Sequence, residues 1–330
     1  NVFFIEEPET HMHPQMQHVF IKYLLRYYKD LDLQGLVTTH SNEIVKATGL
    51  NHLRVIRERA AFVSEIFDLA KFKKEVLELS GEDKVILENF YDWFFEVGFS
   101  EIIFADRAIL YEGDTERLYI RKIITLPAYK SLSEKYISYI QVGGAYAFNY
   151  EPLIDFLKIK TLIITDIDYN KGAISEDDIL TSKTTNSSIN NFYNIAFPKQ
   201  GDPSIKDLYK WKTEKGTILS DELIYLAFQA SDDNYSRTLE EAMLGKHYNV
   251  NAFDTKLRSE WCKLRSDDKL KFSIPNNRED EEDSLFSIRD IIQSTTNSKT
   301  DFMYSVILTG LSESMLPKYI EEGLIWLMKE

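Results

Sequence analysis

The chain has a single cysteine, Cys262, in 330 residues. An internal disulfide framework is excluded, and the composition fits a reducing compartment. No apolar run approaches the length of a membrane span, and no leader pattern is visible, so a cytoplasmic, membrane-free protein is expected. Positive charge is also short: 39 basic against 53 acidic side chains give a net charge of −14. That is the wrong sign for passive coating of nucleic acid. It does not exclude an enzyme acting on nucleic acid, because metal-site carboxylates add negative charge that bound cations offset locally. The phosphate-loop pattern Gly-x-x-x-x-Gly-Lys-[Ser/Thr] is missing, and no internal repeat is present.

The length exceeds the usual single domain, so two units are expected, and 44% apolar residues suffice for real cores. The second unit is organised around Ala108–Glu116. The apolar run Ile109–Tyr111 ends in Glu112; Gly113 follows, and Glu116 comes four residues after Glu112. Leu118, Tyr119, Ile123 and Ile124 then recur at helical spacing. This predicts a buried strand ending in Glu112, a tight turn at Gly113, and Glu116 in a helix's first turn. A second run, Thr161–Thr165, ends in Asp166-Ile167-Asp168. Strand alternation lets acids at i and i+2 point the same way. Between them lies a third strand, Ile137–Val142, closed by Gly143-Gly144, and then a helical pattern over Tyr146–Leu157. The order reads as parallel βαβ units with acids at one sheet edge, where open α/β sheets place ligands. Hard oxygen donors gathered there suit Mg²⁺ or Mn²⁺.

Glu112-Gly113 after one strand and Asp166-Ile167-Asp168 after a later one resemble the Toprim domain. That is the metal-binding catalytic domain of topoisomerases, DnaG-type primases and some nucleases. The resemblance covers roughly 106–330, with clear motifs only in its first sixty or so residues.

The N-terminal stretch carries a different signature. Val2–Ile5 reads as a buried strand ending in Glu6-Glu7-Pro8-Glu9, followed by Thr10-His11-Met12-His13-Pro14 and a helix over Pro14–Tyr28. Another strand, Gly35–Thr39, ends in His40-Ser41, with a helix from Asn42. This resembles the C-terminal end of an ABC-type ATPase. The resemblance implies that Glu6 helps hold Mg²⁺, that Glu7 polarises the attacking water, and that His40 contacts the γ-phosphate. Without a phosphate loop the chain as given is not expected to hydrolyse ATP, and it reads as the C-terminal part of a longer protein. His11 and His13 lack the further histidine or cysteine ligands of a metal site. Leu53–Arg57 and Ala61–Phe67 read as a hairpin closing the ATPase sheet. An aromatic helical connector follows over Leu69–Phe104, its aromatics at core-packing spacings.

An ATPase of this type followed directly by Toprim resembles the OLD (overcoming lysogenization defect) family, which includes Gabija-type anti-phage nucleases. The expected fold is α/β: a C-terminal ATPase piece over 1–70, a helical connector over 71–105, and a Toprim domain with a mainly parallel sheet over 106–330. The resemblance implies a further metal acid in a Leu-Glu context, here Glu240, and a late lysine at a helix head, here Lys299. Glu112, Asp166 and Asp168 would hold one ion; Glu116 and Glu240 would hold a second. Lys299 would neutralise charge developing on the phosphorus or the leaving oxygen. It also implies DNA as substrate, ATP at the completed ATPase portion, a homodimer or tetramer, and a helicase-like partner subunit. Another Toprim enzyme and a non-catalytic assembly module are the alternatives.

Residues 169–235 are polar and read as an irregular insertion, with Lys171-Gly172, Thr184–Asn191 and Lys199–Pro203 as loop and Ile224–Phe228 as a strand or helix. Arg278–Asp283 is an acidic, solvated, mobile loop. Lys318–Met328 is an amphipathic helix for packing or dimer contact.

Overall fold

The computed structural model describes residues 2–79, 84–96, 99–143, 146–198, 201–279 and 281–329. Gly144 and Lys199 lie outside these. The chain divides into two compact units. One comprises residues 1–105 with 155–158, and the other comprises 106–154 with 159–330.

In the first unit, strand β1 (Val2–Glu6) leads to helix α1 (Pro14–Asp30). Pro14 opens that helix, where its missing N–H costs nothing. His13 caps it, accepting from the Gln15 amide, which gives the second of the two histidines a structural task. Strand β2 (Gln34–Thr38) returns beside β1 in parallel, with Glu6 opposite Thr38. Ser41 caps α2 (Asn42–Thr48). Strands β3 (Arg54–Ala60) and β4 (Val63–Asp68) form the expected hairpin. It does not close the β1–β2 sheet, however: among the described residues the two pairs are separate two-stranded sheets. Helices α3 (Leu69–Leu79) and α4 (Lys84–Glu96) occupy the stretch expected as a connector and fall within this unit. Phe72, Tyr91 and Phe94 are buried there, which is core packing.

The second unit is built on a five-stranded sheet. Its first strand, β5 (Arg107–Tyr111), is followed by α5 (Asp114–Ile124), α6 (Lys130–Ser133) and β6 (Ile137–Gln141). Helix α7 (Glu151–Leu157) is shorter than the pattern suggested. A 3₁₀ turn, Ala147–Tyr150, precedes it, and Pro152 is tolerated only in a helix's first turn. Strand β7 (Lys160–Ile164) follows.

Residues 169–235 are not irregular. They hold α8 (Glu176–Thr181), α9 (Ser187–Ala196), α10 (Ile205–Lys215), β8 (Ile218–Leu219) and β9 (Ile224–Ala227). The loop reading of Thr184–Asn191 fails because Asn186 is a cap: its side chain accepts from the Ile189 amide. Ser175 and Ser204 cap α8 and α10 in the same way. Ile189, Phe192 and Tyr193 then supply a buried stripe. Nor is the stretch wholly an appendage. The sheet order is β6-β5-β7-β9-β8, so β9 pairs directly with β7, in parallel, and is buried throughout.

The remainder comprises α11 (Leu239–Tyr248), β10 (Thr255–Leu257), α12 (Arg258–Asp267), β11 (Leu285–Ser287), α13 (Ile288–Thr295), α14 (Lys299–Leu308) and α15 (Lys318–Met328). Strands β10 and β11 pair with each other. The acidic stretch between α12 and β11 is tethered at its end, where Asp283 accepts from the Ser259 amide at 3.1 Å. Helix α15 lies on the sheet through Tyr319, Ile320, Leu324 and Leu327, all fully buried. Gly323 lets it approach closely: a Cβ there would sit 2.6 Å from Leu162 Cδ1.

Candidate active site

Four parallel strands put their C-terminal ends along one edge, and the acids gather there. Strand β5 is buried except at its start; the side chain after it, Glu112, is the first free to turn toward the edge. Its Oε1 accepts from the Thr165 hydroxyl, from the Asp166 amide at 3.1 Å and from Asn186 Nδ2 at 3.2 Å. Burial raises the Glu112 pKa and these hydrogen bonds oppose the rise. Asn186 Nδ2 also reaches Thr165 Oγ1 (2.7 Å) and the Asp166 carbonyl (3.0 Å). One side chain thereby joins the ends of β5 and β7 to the head of α9.

Gly113 passes the chain into α5, and a Cβ on it would come within 3.1 Å of Glu116 Oε2. Glu116 is buried in the helix's first turn. Desolvation, then repulsion from Glu240, push its pKa up to about 7. Asp166 is raised well above its ordinary value by desolvation and by Glu112, Glu116, Glu240 and Asp168 together. Gln229, at the end of β9, holds it. Gln229 Nε2 donates to Asp166 Oδ1 at 2.7 Å, and Gln229 Oε1 accepts the Ile167 amide at 2.8 Å.

Asp168 is turned differently. Its backbone is left-handed, with φ 45°. Its carboxylate meets Arg237 Nη2 at 2.7 Å, and Arg237 Nε donates to the Tyr169 carbonyl at 3.1 Å. Glu240, at the head of α11, is 1% exposed. Its Oε2 accepts from Lys299 Nζ at 3.0 Å, while its Oε1 is buried without a partner. Burial pulls the Lys299 pKa down, but attraction and a hydrogen bond to Glu240 outweigh that and hold it above the ordinary value.

The sheet edge thus brings Glu112, Glu116, Asp166, Glu240 and Lys299 into one electrostatic neighbourhood, with Asp168 at its border. Among the described residues no three acid, histidine or cysteine side chains form a ready metal cage. The carboxylates are instead engaged by Asn186, Gln229, Arg237 and Lys299. The donor chemistry does fit a hard divalent cation. A fully buried carboxylate oxygen without a partner, among mutually repelling acids, is costly unless a cation serves it.

Sequence reasoning missed Asn186, Gln229 and Arg237. Asparagine serves loops and helix caps alike, so Asn186 reads as loop, and nothing local pointed to the other two.

In the first unit, Glu7 and His40 stand at the ends of the paired strands. Glu7 Oε1 lies 3.4 Å from His40 Nε2. Glu6 is exposed beside them. Glu9, also missed, joins the two strand ends. Its Oε1 accepts from Thr39 Oγ1 at 2.8 Å and from the His40 amide at 2.7 Å.

A mostly parallel sheet with Glu-Gly after one strand and Asp-x-Asp after its neighbour defines a Toprim-type domain. Residues 103–168 match the family described as overcoming lysogenization defect protein-like, TOPRIM domain, and residues 1–45 match an AAA ATPase domain. The chain is related to the OLD-type ATPase–Toprim proteins. It is 27% identical to the endonuclease GajA of Bacillus cereus (strain HuB5-5), over all of this chain and 49% of that protein. It is 29% identical to the OLD nuclease of Thermus scotoductus (strain ATCC 700910 / SA-01), over 34% of this chain and 21% of that one. The chain therefore spans about half the length of the first relative, and less of the second. A solved C-terminal region of the Xanthomonas campestris pv. campestris OLD protein is 16% identical, with a TM-score of 0.36 over 69% of this chain and 94% of that one.

Proposed function

We propose that residues 106–330 form the catalytic part of a divalent-metal-dependent DNA endonuclease of OLD type, acting in anti-phage defence under control of an ATPase domain. Residues 1–70 would be the end of that ATPase domain and 71–105 its connector. The observation carrying this reading is the junction of Glu240 and Lys299: a buried carboxylate with one free oxygen, beside a cation held charged, next to the Glu112–Glu116–Asp166 acids. The names of the two curated relatives, endonuclease and nuclease, support it.

Glu112, Asp166 and Asp168 would hold one Mg²⁺ or Mn²⁺, and Glu116 with Glu240 a second. When bound, the ions would lower the pKa of an attacking water and stabilise the departing oxygen. The chain's own residues supply the rest. Asn186 and Gln229 orient Glu112 and Asp166. Lys299 places a fixed positive charge where the phosphate gains negative charge. Glu240 keeps that lysine charged and aimed. Glu7 and His40, at the paired strand ends, would serve ATP hydrolysis once a phosphate loop is supplied. DNA is the substrate in this reading; a homo-oligomer and a helicase-like subunit are its expected assembly.

A non-catalytic assembly module is the second reading. The engagement of Asp168 by Arg237 favours it. Nicking of supercoiled plasmid in Mg²⁺ or Mn²⁺, beside Asp166→Asn and Lys299→Ala, separates the two. The nuclease reading expects a loss of about 10²–10³-fold in each variant with DNA binding retained. Equal cutting by all three proteins would place the activity elsewhere, and DNA binding without cutting by any would favour the module.

A further inference from the structure

A cleft of about 250 Å³ adjoins the acids and extends past them to residues that the proposed chemistry does not use. Asp166 and Asp168 form one end. The rest of its wall includes Lys171, Arg237, Arg289 and Lys299. Two of these cations are matched by acids: Arg237 by Asp168, and Lys299 by Glu240. Arg289 forms no such ion pair, although the buried Glu241 carboxylate, also in the wall, attracts it. It is 8% exposed, and its fork is spent on neutral groups. Nη1 donates to the carbonyls of Lys171 (3.0 Å) and Ala173, and Nη2 to the Tyr169 hydroxyl (2.9 Å). Its Nε is buried with no hydrogen-bond partner. A buried Nε–H left unmet is costly unless an acceptor comes to it. Helix α13 is arranged around this: Arg289, Gln293 and Thr296, at spacings of four and three, share the face that lines the cleft. Lys171, exposed at the mouth, adds a second mobile positive charge.

We propose that this cleft seats the phosphate next to the scissile one on the cut DNA strand, with Arg289 as its floor and Lys171 as its clamp. A cleft of this size has room for a sugar-phosphate unit. The strand therefore enters backbone first, one phosphate against the acids and its neighbour against Arg289. This rests on the nuclease reading for which phosphate is cut. The cationic cleft itself does not depend on cutting.

The test uses the full chain, with Ca²⁺ in place of Mg²⁺, and a fluorescein-labelled oligonucleotide followed by anisotropy. Lys171→Glu and Gln293→Glu both change exposed side chains, so neither threatens folding; Arg289→Lys keeps the charge but loses the fork. Each should weaken binding about five- to tenfold, and Lys171→Glu should reduce the salt dependence by about one phosphate contact. In Mg²⁺, a single uncharged methylphosphonate beside the mapped cut site should slow wild-type cleavage about tenfold and add almost nothing in Lys171→Glu. Unchanged binding in all three variants would overturn the cleft whether or not the protein cuts. Weakened binding in a protein that cuts in neither Mg²⁺ nor Mn²⁺ would keep the cleft and remove the nuclease reading. If inorganic phosphate binds wild type and not Lys171→Glu while DNA binding is the same in both, the occupant is a free phosphate and the strand assignment falls.

Discussion

The Arg237 guanidinium lies 2.7 Å from the Asp168 carboxylate, and its Nε holds the next carbonyl in the chain. One cation therefore fixes both the left-handed turn at Asp168 and the direction of its side chain. It also competes with any metal for that carboxylate. Arg237→Ala should tighten Mn²⁺ binding, measured by calorimetry, by about fivefold, since about 1 kcal/mol of like-charge competition is removed. Cleavage should nonetheless fall, because the turn loses its anchor. Weaker Mn²⁺ binding in Arg237→Ala would mean that Asp168 needs the arginine to reach the ion.

Glu116 makes the metal-free protein pH-dependent. Its folded pKa, about 7, lies above its ordinary 4.5, so folding favours its protonated form. That contribution is complete below about 4.5 and is lost as pH rises through about 7. It amounts to up to about 3 kcal/mol. Asp233, raised to about 6 by burial, acts in the same direction at lower pH. Urea unfolding in EDTA should therefore show stability declining from pH 5 to pH 8, and Glu116→Gln should flatten the upper part of the decline. Saturating Mn²⁺ should reverse its sign. A profile unchanged by Glu116→Gln would show that other groups govern it.

Asn186 is the joint between β5, β7 and α9. Asn186→Ala removes an amide whose two N–H groups are shared among three acceptors, and a helix cap. The expected loss is about 2–3 kcal/mol of stability, with Glu112 left to Thr165 and the Asp166 amide. Asn186→Asp keeps the cap but sets a negative charge against Glu112. It should fold less well than Asn186→Ala above neutral pH and recover on adding Mg²⁺. Equal melting temperatures for the two variants at every pH would deny the amide this role.

Gly323 sets how closely α15 approaches the sheet. Alanine there gains up to about 1 kcal/mol in helix propensity. Its Cβ would, however, meet Leu162 Cδ1 at 2.6 Å, and Leu162 is fully buried with nowhere to move. The clash should win, with a net cost of about 1–2 kcal/mol. Calorimetric melting should fall by several degrees. A rise would mean that α15 tilts away, and Tyr319, bonded to Gln229, would move with it.

What the amino-acid order determined is whatever is local. Apolar runs stopping at Glu112 and at Asp166, a glycine at the turn, and helical spacing after it suffice to predict strands, their direction and the edge that carries acids. Those signals need only neighbours a few residues apart. The same locality misled over 169–235, because serine and asparagine serve loops and helix caps alike. Only the fold made Asn186 a cap and β9 a core strand. The tertiary structure also decided the site's electrostatics. Glu240 and Lys299 lie 59 residues apart in sequence yet touch, and so do Asp166 and Gln229 at a separation of 63. Residue type says what such groups can do. Which carboxylate stays protonated, which is held by arginine and which oxygen is left for a cation depend on burial and on partners brought from distant strands.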